Sequence, residues 1–155
     1  MKFVFVENAY CDGDLYKGSL EVKEDWPVFQ WHFPGFPVLP GSIQLEIMAQ
    51  HLLKGCVDYF QNSDQYPDLP PNSNPGVIKI ENARFHRPVF PGDVLHFEGK
   101  PIDVIFPMVK VSALLKVKDQ KVSSATFLAG FINMGNAGIT VDLEAFFSQG
   151  SINES

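Results

Sequence analysis

The chain has 155 residues, 45% apolar and 19% charged, and its 12 basic and 18 acidic side chains leave a net charge of −6. A chain of that length can bury a core without disulfide or metal support, and its composition excludes a disordered polymer. No stretch is basic enough to follow a phosphate backbone, and no apolar run reaches the ~18 residues of a membrane span, so neither nucleic acid nor a bilayer is an expected partner.

The N-terminus meets an acid at Glu7, too early for the apolar centre of a signal peptide, which points to the cytoplasm. Cys11 and Cys56 are then expected as free thiols, since no C-x-x-C spacing suggests a redox or zinc motif. No internal repeat or linker divides the chain, so residues 1–155 read as one domain.

Two short strands are expected first, near Phe3–Glu7 and Leu15–Lys23. Prolines at 27, 34, 37 and 40 then impose an irregular stretch, because each fixes its own torsion and pushes its predecessor out of the helical region. A helix follows over Ser42–Phe60, where Leu45, Met48, Leu52, Cys56 and Tyr59 recur at three- and four-residue steps. Ile43, Ile47, Ala49, Leu53 and Val57 fill much of the remaining surface, so this helix must be covered on most sides. Ser42 stands where an N-cap belongs.

Prolines 67, 70, 71 and 75 mark an enlarged loop over Gln61–Gly76. Strands are expected at Val77–Phe85 and Val94–Ile105, joined through Pro91-Gly92-Asp93. Val109, Val111, Ala113, Leu115 and Val117 alternate with polar residues, and Ala125, Phe127, Ala129 and Phe131 share a face of Val122–Ile132. Together they predict a long hairpin turning at Asp119-Gln120. A short amphipathic piece at Val141–Phe147 has no evident place. Two strands, one buried helix and four strands make an α+β arrangement, an antiparallel sheet against a single long helix.

Two titratable residues stand near the helix start, His32 in the stiff proline loop and Glu46 in the second helical turn. A histidine titrates near neutrality, and a carboxyl on a buried helix is raised toward the range of a proton donor. The helix N-terminus offers backbone N–H groups that hold a developing oxyanion. Base, acid and oxyanion site together suit proton abstraction beside a carbonyl followed by loss of a leaving group. The plain alternative is a solvated loop histidine and a surface glutamate on the helix's one wet stripe. The remaining histidines, His51, His86 and His96, lack metal-ligand spacing and read as structural. Asn153-Glu154-Ser155 fits a glycosylation acceptor, which has no meaning for a cytoplasmic chain.

The segment His32-Phe33-Pro34-Gly35-Phe36-Pro37-Val38-Leu39-Pro40-Gly41, followed by a helix carrying Glu46, resembles the FabZ-type (3R)-hydroxyacyl-[acyl-carrier-protein] dehydratases. About fifty residues on, Phe85-His86-Arg87-Pro88-Val89-Phe90-Pro91-Gly92-Asp93 resembles a second segment of that family. The related FabA type usually carries Asp where this chain has Glu46. The resemblance spans roughly residues 15–132 and implies the hotdog fold, a sheet wrapped around one long helix. It implies that His32 removes the C2 proton of a 3-hydroxyacyl thioester and that Glu46 protonates the departing C3 hydroxyl. It also implies substrate contacts at Gly41, whose N–H polarises the thioester carbonyl, and at Val38.

Gln50, one turn beyond Glu46, is placed to orient the carboxyl. The thioester acidifies its own C2, so no metal or cofactor is implied. The partners implied are an acyl carrier protein bearing the substrate and a second copy of the chain, because base and acid of one site come from different subunits. Carrier proteins of such pathways are acidic while this chain is net negative, so docking needs a local basic patch, for which Arg84, Arg87 and Lys54 are the candidates. Equally, Arg84 and Arg87 could only brace the Pro88 turn.

Trp31 stands where the family usually has Gly, Phe36 replaces a residue that is often small or polar, and the family's N-terminal P-H-R-x-P-F segment is absent. Two other readings stay open. One is a hotdog thioesterase, which would direct water with a carboxylate and leave His32 idle. The other is a non-catalytic acyl- or carrier-binding module.

Overall fold

The computed structural model describes residues 5–69 and 71–133. The piece expected at 141–147, the acceptor motif at 153–155 and residues 3–4 of the first expected strand lie outside them. Strands β1 (Tyr10–Asp12) and β2 (Leu15–Glu21) precede helix α1 (Gly41–Gln61). Strands β3 (Ser73–Phe85), β4 (Val94–Ile105), β5 (Met108–Val117) and β6 (Gln120–Asn133) follow it. They form one antiparallel sheet in the order β1-β2-β4-β5-β6-β3, and α1 packs against all six strands.

The alternation read from the sequence fixes which face of the sheet is dry. Leu95 and Phe97 of β4, Val109, Val111, Ala113 and Leu115 of β5, and Ala125, Phe127, Ala129 and Phe131 of β6 are buried in one core with Ile47, Met48, Leu52 and Cys56 of α1. Burying each large aliphatic side chain contributes about 1.5–3 kcal/mol. At two points helix and sheet touch through a missing side chain. A Cβ on Gly18 of β2 would lie 2.3 Å from the ring of His51, and one on Gly55 of α1 would lie 2.4 Å from the ring of Tyr16. Each glycine thus makes room for a ring of the opposing element.

The structure moves several expected boundaries. Ser42 is not the N-cap. The chain enters α1 through Pro40, extended at ψ 143°, with no side-chain cap, and Ser42 is already helical and exposed. The Pro40 carbonyl accepts both the Ile43 and Gln44 N–H groups at 3.1 Å, so the N–H groups of Gly41 and Ser42 stay outside the helix's own ladder. Phe5 and Val6 are buried but form no strand, because the Phe5 N–H is taken by the Gln50 side chain at 2.6 Å. The first strand is β1, a three-residue hairpin partner of β2 that carries no apolar alternation.

β3 begins four residues earlier than expected and runs through Pro75, which an edge strand tolerates because its N–H side needs no partner. The β5–β6 turn is Lys118-Asp119, both at positive φ (49° and 61°), rather than Asp119-Gln120. Such a turn matches the right-handed twist of its strands. Cys11 is exposed and Cys56 buried, neither in a disulfide, and burial pushes the Cys56 thiol up to about 12.

His51 supplies a test of the packing. It is 2% exposed, stacked beside Phe97 at 5.1 Å, and donates Nδ1–H to the Ile47 carbonyl at 2.8 Å. Burial pushes its pKa below 6.5, against the opposing effect of the Ile47 bond. The unfolded chain therefore takes up this proton first as pH falls below 6.5. Stability is full above that value and declines below it, by up to about 1.4 kcal/mol per pH unit from this one group. Urea unfolding at pH 7.5 and 5.5 should show that decline in the parent and a smaller one in His51→Leu.

Candidate active site

Residues 26–40 build one side of the site. A 3-10 turn (Pro27–Gln30) leads into a tight loop in which Phe33 and Phe36 exchange backbone hydrogen bonds across Gly35, at φ 77°. The loop closes on itself through His32. The Val38 N–H donates to the His32 carbonyl at 2.9 Å, and His32 Nδ1 donates to the Val38 carbonyl at 2.7 Å. A carbonyl can only accept, so in the neutral ring the proton sits on Nδ1 and Nε2 keeps a bare lone pair. The half-buried ring stacks on Phe33 at 4.2 Å and meets Trp31 edge-on at 6.0 Å.

The strap that follows, Val38–Pro40, is tied to the second proline turn by a Leu39 N–H to Val89 carbonyl bond of 2.8 Å. That turn is itself closed by Asp93, whose carboxylate accepts the Phe90 N–H at 2.8 Å, with Gly92 at φ 90°. The two sequence segments that carry the resemblance are thus hydrogen-bonded neighbours.

Glu46 is not on the buried side of α1, as a carboxyl on a greasy helix was expected to be. Ile47, Met48, His51 and Leu52 fill the sheet side, and Glu46 faces outward in the single chain. It is nevertheless held. Gln50 Nε2 donates to Glu46 Oε1 at 2.9 Å, and Gln50 Oε1 accepts the buried Phe5 N–H. The carboxyl is thereby oriented by a side chain that is 4% exposed and anchored to the N-terminal segment. The His32 ring is held by Val38 and its backbone N–H by Val28, while the Glu46 carboxyl is held through Gln50 and Phe5.

Gly41 opens α1 beside a cavity of about 460 Å³ bounded by Leu39, Gly41, Gln44, Phe85, Arg87 and Pro88. A Cβ on Gly41 would fall 2.8 Å from the Phe85 ring, so the ring lies directly over the helix start. Val38 is half-buried next to it.

Of the three basic candidates, Arg84 and Arg87 are exposed at this end of the molecule, and Arg87 reaches Gln120 across the turn. Lys54 is separate from them. It lies about 20 Å along α1 from Gly41 at 1.5 Å per residue, in an ion pair with Asp58 at 2.5 Å. Trp31 and Phe36 are both largely exposed, and Phe36 meets Phe90 edge-on at 6.0 Å. His86 and His96 are exposed, and His51 belongs to the core. Among the described residues no three His, Cys, Asp or Glu side chains are grouped as metal ligands.

Gln44 was not singled out in the sequence. Its side chain is 3% exposed and donates to the Leu39 carbonyl at 3.3 Å. The signal was present: Gln44, Ile47, Met48 and His51 are spaced i, i+3, i+4 and i+7, which puts a polar residue on the dry face in the first turn.

Comparison with known proteins bears on the family and the fold. A family model described as ApeI-like, ApeI dehydratase, matches residues 8–126. The 3-hydroxyacyl-[acyl-carrier-protein] dehydratase FabZ of Thermus thermophilus is 36% identical over 125 residues, 80% of this chain and 83% of the relative. Among solved structures, the dehydratase heterocomplex ApeI:P from Xenorhabdus doucetiae superposes with a TM-score of 0.64 at 14% identity, covering 85% of each chain. The fluoroacetyl-CoA thioesterase FlK superposes at 0.61 with 12% identity, covering 94% of this chain and 98% of that one. At such identity these two structures speak for the fold alone, which is the hotdog arrangement of one helix in a six-stranded antiparallel sheet. The matched segment contains both proline motifs, His32 and Glu46, and the chain belongs to the ApeI-like family of hotdog dehydratases, a relative of the FabZ type.

Proposed function

We propose that the chain removes water from 3-hydroxyacyl thioesters carried on an acyl carrier protein, giving trans-2-enoyl thioesters in fatty-acid or related lipid or polyketide synthesis. The observation that carries this reading is the tautomer lock on His32: Nδ1–H is spent on the Val38 carbonyl, and Nε2 is left as a base. Nε2 takes the C2 proton while the Gly41 N–H holds the charge that moves onto the thioester oxygen. Glu46, in its acid form, gives its proton to the C3 hydroxyl. The C3–O bond breaks, its electrons leave with water, and the C2–C3 double bond forms. The proton on His32 and the charge on Glu46 are reset through solvent. Gln50 holds one carboxyl oxygen and leaves the other for the transferred proton.

The working unit in this reading is a homodimer, with His32 of one subunit serving Glu46 of the other. Two features support it. Glu46 is exposed in the single chain, and β3 is a 13-residue edge strand with Ile78, Ile80 and Phe85 between 42% and 49% exposed. A long apolar edge of that kind is a template for pairing with another strand. Carrier docking is assigned to Arg84 and Arg87, at the end of the molecule where the strap and Gly41 lie. Lys54, paired with Asp58, is the weakest member of the expected patch.

Incubated with a short 3-hydroxyacyl thioester, the protein should produce an enoyl thioester, seen as loss of one water by mass. His32→Ala and Glu46→Ala should each slow this by at least about a hundredfold. Mixed and refolded together, the two variants should regain about a quarter of parent activity, because half the dimers are mixed and each has one intact site. No recovery would place base and acid in one subunit. Free thiol instead of enoyl product would make the protein a thioesterase, and no product on any carrier-bound chain length would leave a binding module.

Gln50→Leu leaves Glu46 unoriented and the Phe5 N–H unpaired, and should lower kcat about tenfold. Replacing Arg84 and Arg87 together with Glu should slow turnover of carrier-bound substrate and spare the small thioester. Equal slowing of both would remove these residues from carrier docking.

A further inference from the structure

We propose that Gln44 is a positioning residue for the dehydration, acting through the Val38–Pro40 strap on both His32 and Gly41. The inference rests on the acid–base reading above and adds to it the residue that holds that machinery in register.

The strap has two jobs in opposite directions along the chain. Backward, the Val38 peptide grips His32 twice, through the 2.9 Å bond to its carbonyl and the 2.7 Å bond from its ring. Forward, Pro40 delivers the chain into α1, so the plane of the Pro40–Gly41 peptide sets the aim of the Gly41 N–H. The Leu39 peptide lies between the two, and both its polar groups are tied. Its N–H goes to the Val89 carbonyl at 2.8 Å, and its carbonyl accepts from Gln44 Nε2 at 3.3 Å. Gln44 therefore fixes from the helix side what Val89 fixes from the second proline turn. Without that donor the Leu39 carbonyl is free to turn, and the His32 ring and the Gly41 N–H turn with it. A shift of about 1 Å in reacting groups is enough to slow an enzyme by about a hundredfold.

The other half of the same side chain argues that this donor, and not packing, is its contribution. Gln44 Oε1 is buried and has no hydrogen-bond partner among the described residues. An acceptor kept dry and unpaired destabilises the fold, and an apolar side chain of the same length would fill the position without that penalty. A residue chosen for stability alone would not be Gln. Its place beside the cavity that Gly41 and Phe85 bound puts its effect on the reacting end of the substrate.

The test uses the full-length protein and a short 3-hydroxyacyl thioester. Parent activity is measured first, since dehydration by the parent establishes the reading beneath, and only the variant-to-parent ratio bears on Gln44. Gln44→Met keeps the volume and removes the donor. The expected result is a thermal midpoint within a few degrees of the parent's, because losing the unpaired Oε1 offsets losing the Leu39 bond, with kcat lowered between about ten- and a hundredfold and KM within about twofold. A kcat within about twofold of the parent overturns the proposal, as does a loss of activity that only follows a loss of folded protein.

Gln44→Glu decides the matter if the Met variant does not fold. Its carboxylic acid donates to the Leu39 carbonyl, and its carboxylate cannot. The kcat ratio to parent should rise as pH is lowered from 8 to 6, and a ratio independent of pH overturns the assignment.

Discussion

A 21-residue helix that is apolar on most of its circumference must be covered by something, and this chain has one sheet with which to do it. Nearly everything else follows from that constraint. The sheet curves until all six strands touch α1. Where contact is tightest a side chain must be absent, so Gly18 faces His51 and Gly55 faces Tyr16. At the first turn of α1 the end of β3 brings Phe85 over Gly41, and the proline loops meet there. The candidate site is placed there because that turn carries N–H groups that the helix's own ladder does not use.

The chemistry is built from backbone as much as from side chains. His32 Nδ1 is bonded to the Val38 carbonyl, the proposed oxyanion donor is the Gly41 N–H, and the strap joining them is held by Val89 and Gln44. A stiff strap suits this purpose. Pro37 and Pro40 each remove a torsion, so two further hydrogen bonds suffice to hold the loop in one shape. The acid is arranged differently. Glu46 projects from a rigid helix, with Gln50 one turn on as its brace and the Phe5 N–H behind Gln50. His32 and Glu46 are thus held by separate networks, which suits the proposed site shared between two copies of the chain.

The distribution of charge and apolar surface separates the faces of the molecule. The β3 edge presents Ile78, Ile80 and Phe85, while the pairs Lys79–Glu81 and Lys110–Glu81 lie on the same strand or across the sheet beside it. The opposite edge is β1, three residues long, which offers little backbone for pairing. The long apolar β3 edge suits the proposed pairing with a second copy, and the short β1 edge does not. The aromatic departures from the FabZ pattern, Trp31 and Phe36, project at the His32 loop, where their effect falls on the approach to the site.

The sequence by itself determined the helix to within one residue at either end, β4 at both ends and the β5–β6 hairpin, and it nominated His32 and Glu46 as candidates. These are readable because periodicity of 3.6 or 2 and the spacing of proline, glycine and ionisable residues are local properties of the chain. It did not reveal β1, which is too short and too exposed to carry a pattern and exists only because β2 is there to pair with. It misplaced the helix cap, because Pro40 enters extended and its carbonyl takes two N–H groups where a serine hydroxyl was expected to serve.

Tertiary structure decided between the two readings of Glu46, since a helix apolar on most sides has no single dry side until a sheet chooses one. It alone decided that Leu39 meets Val89 across fifty residues of sequence. Contacts of that range depend on how the whole chain closes around α1, and no local pattern of residues encodes them.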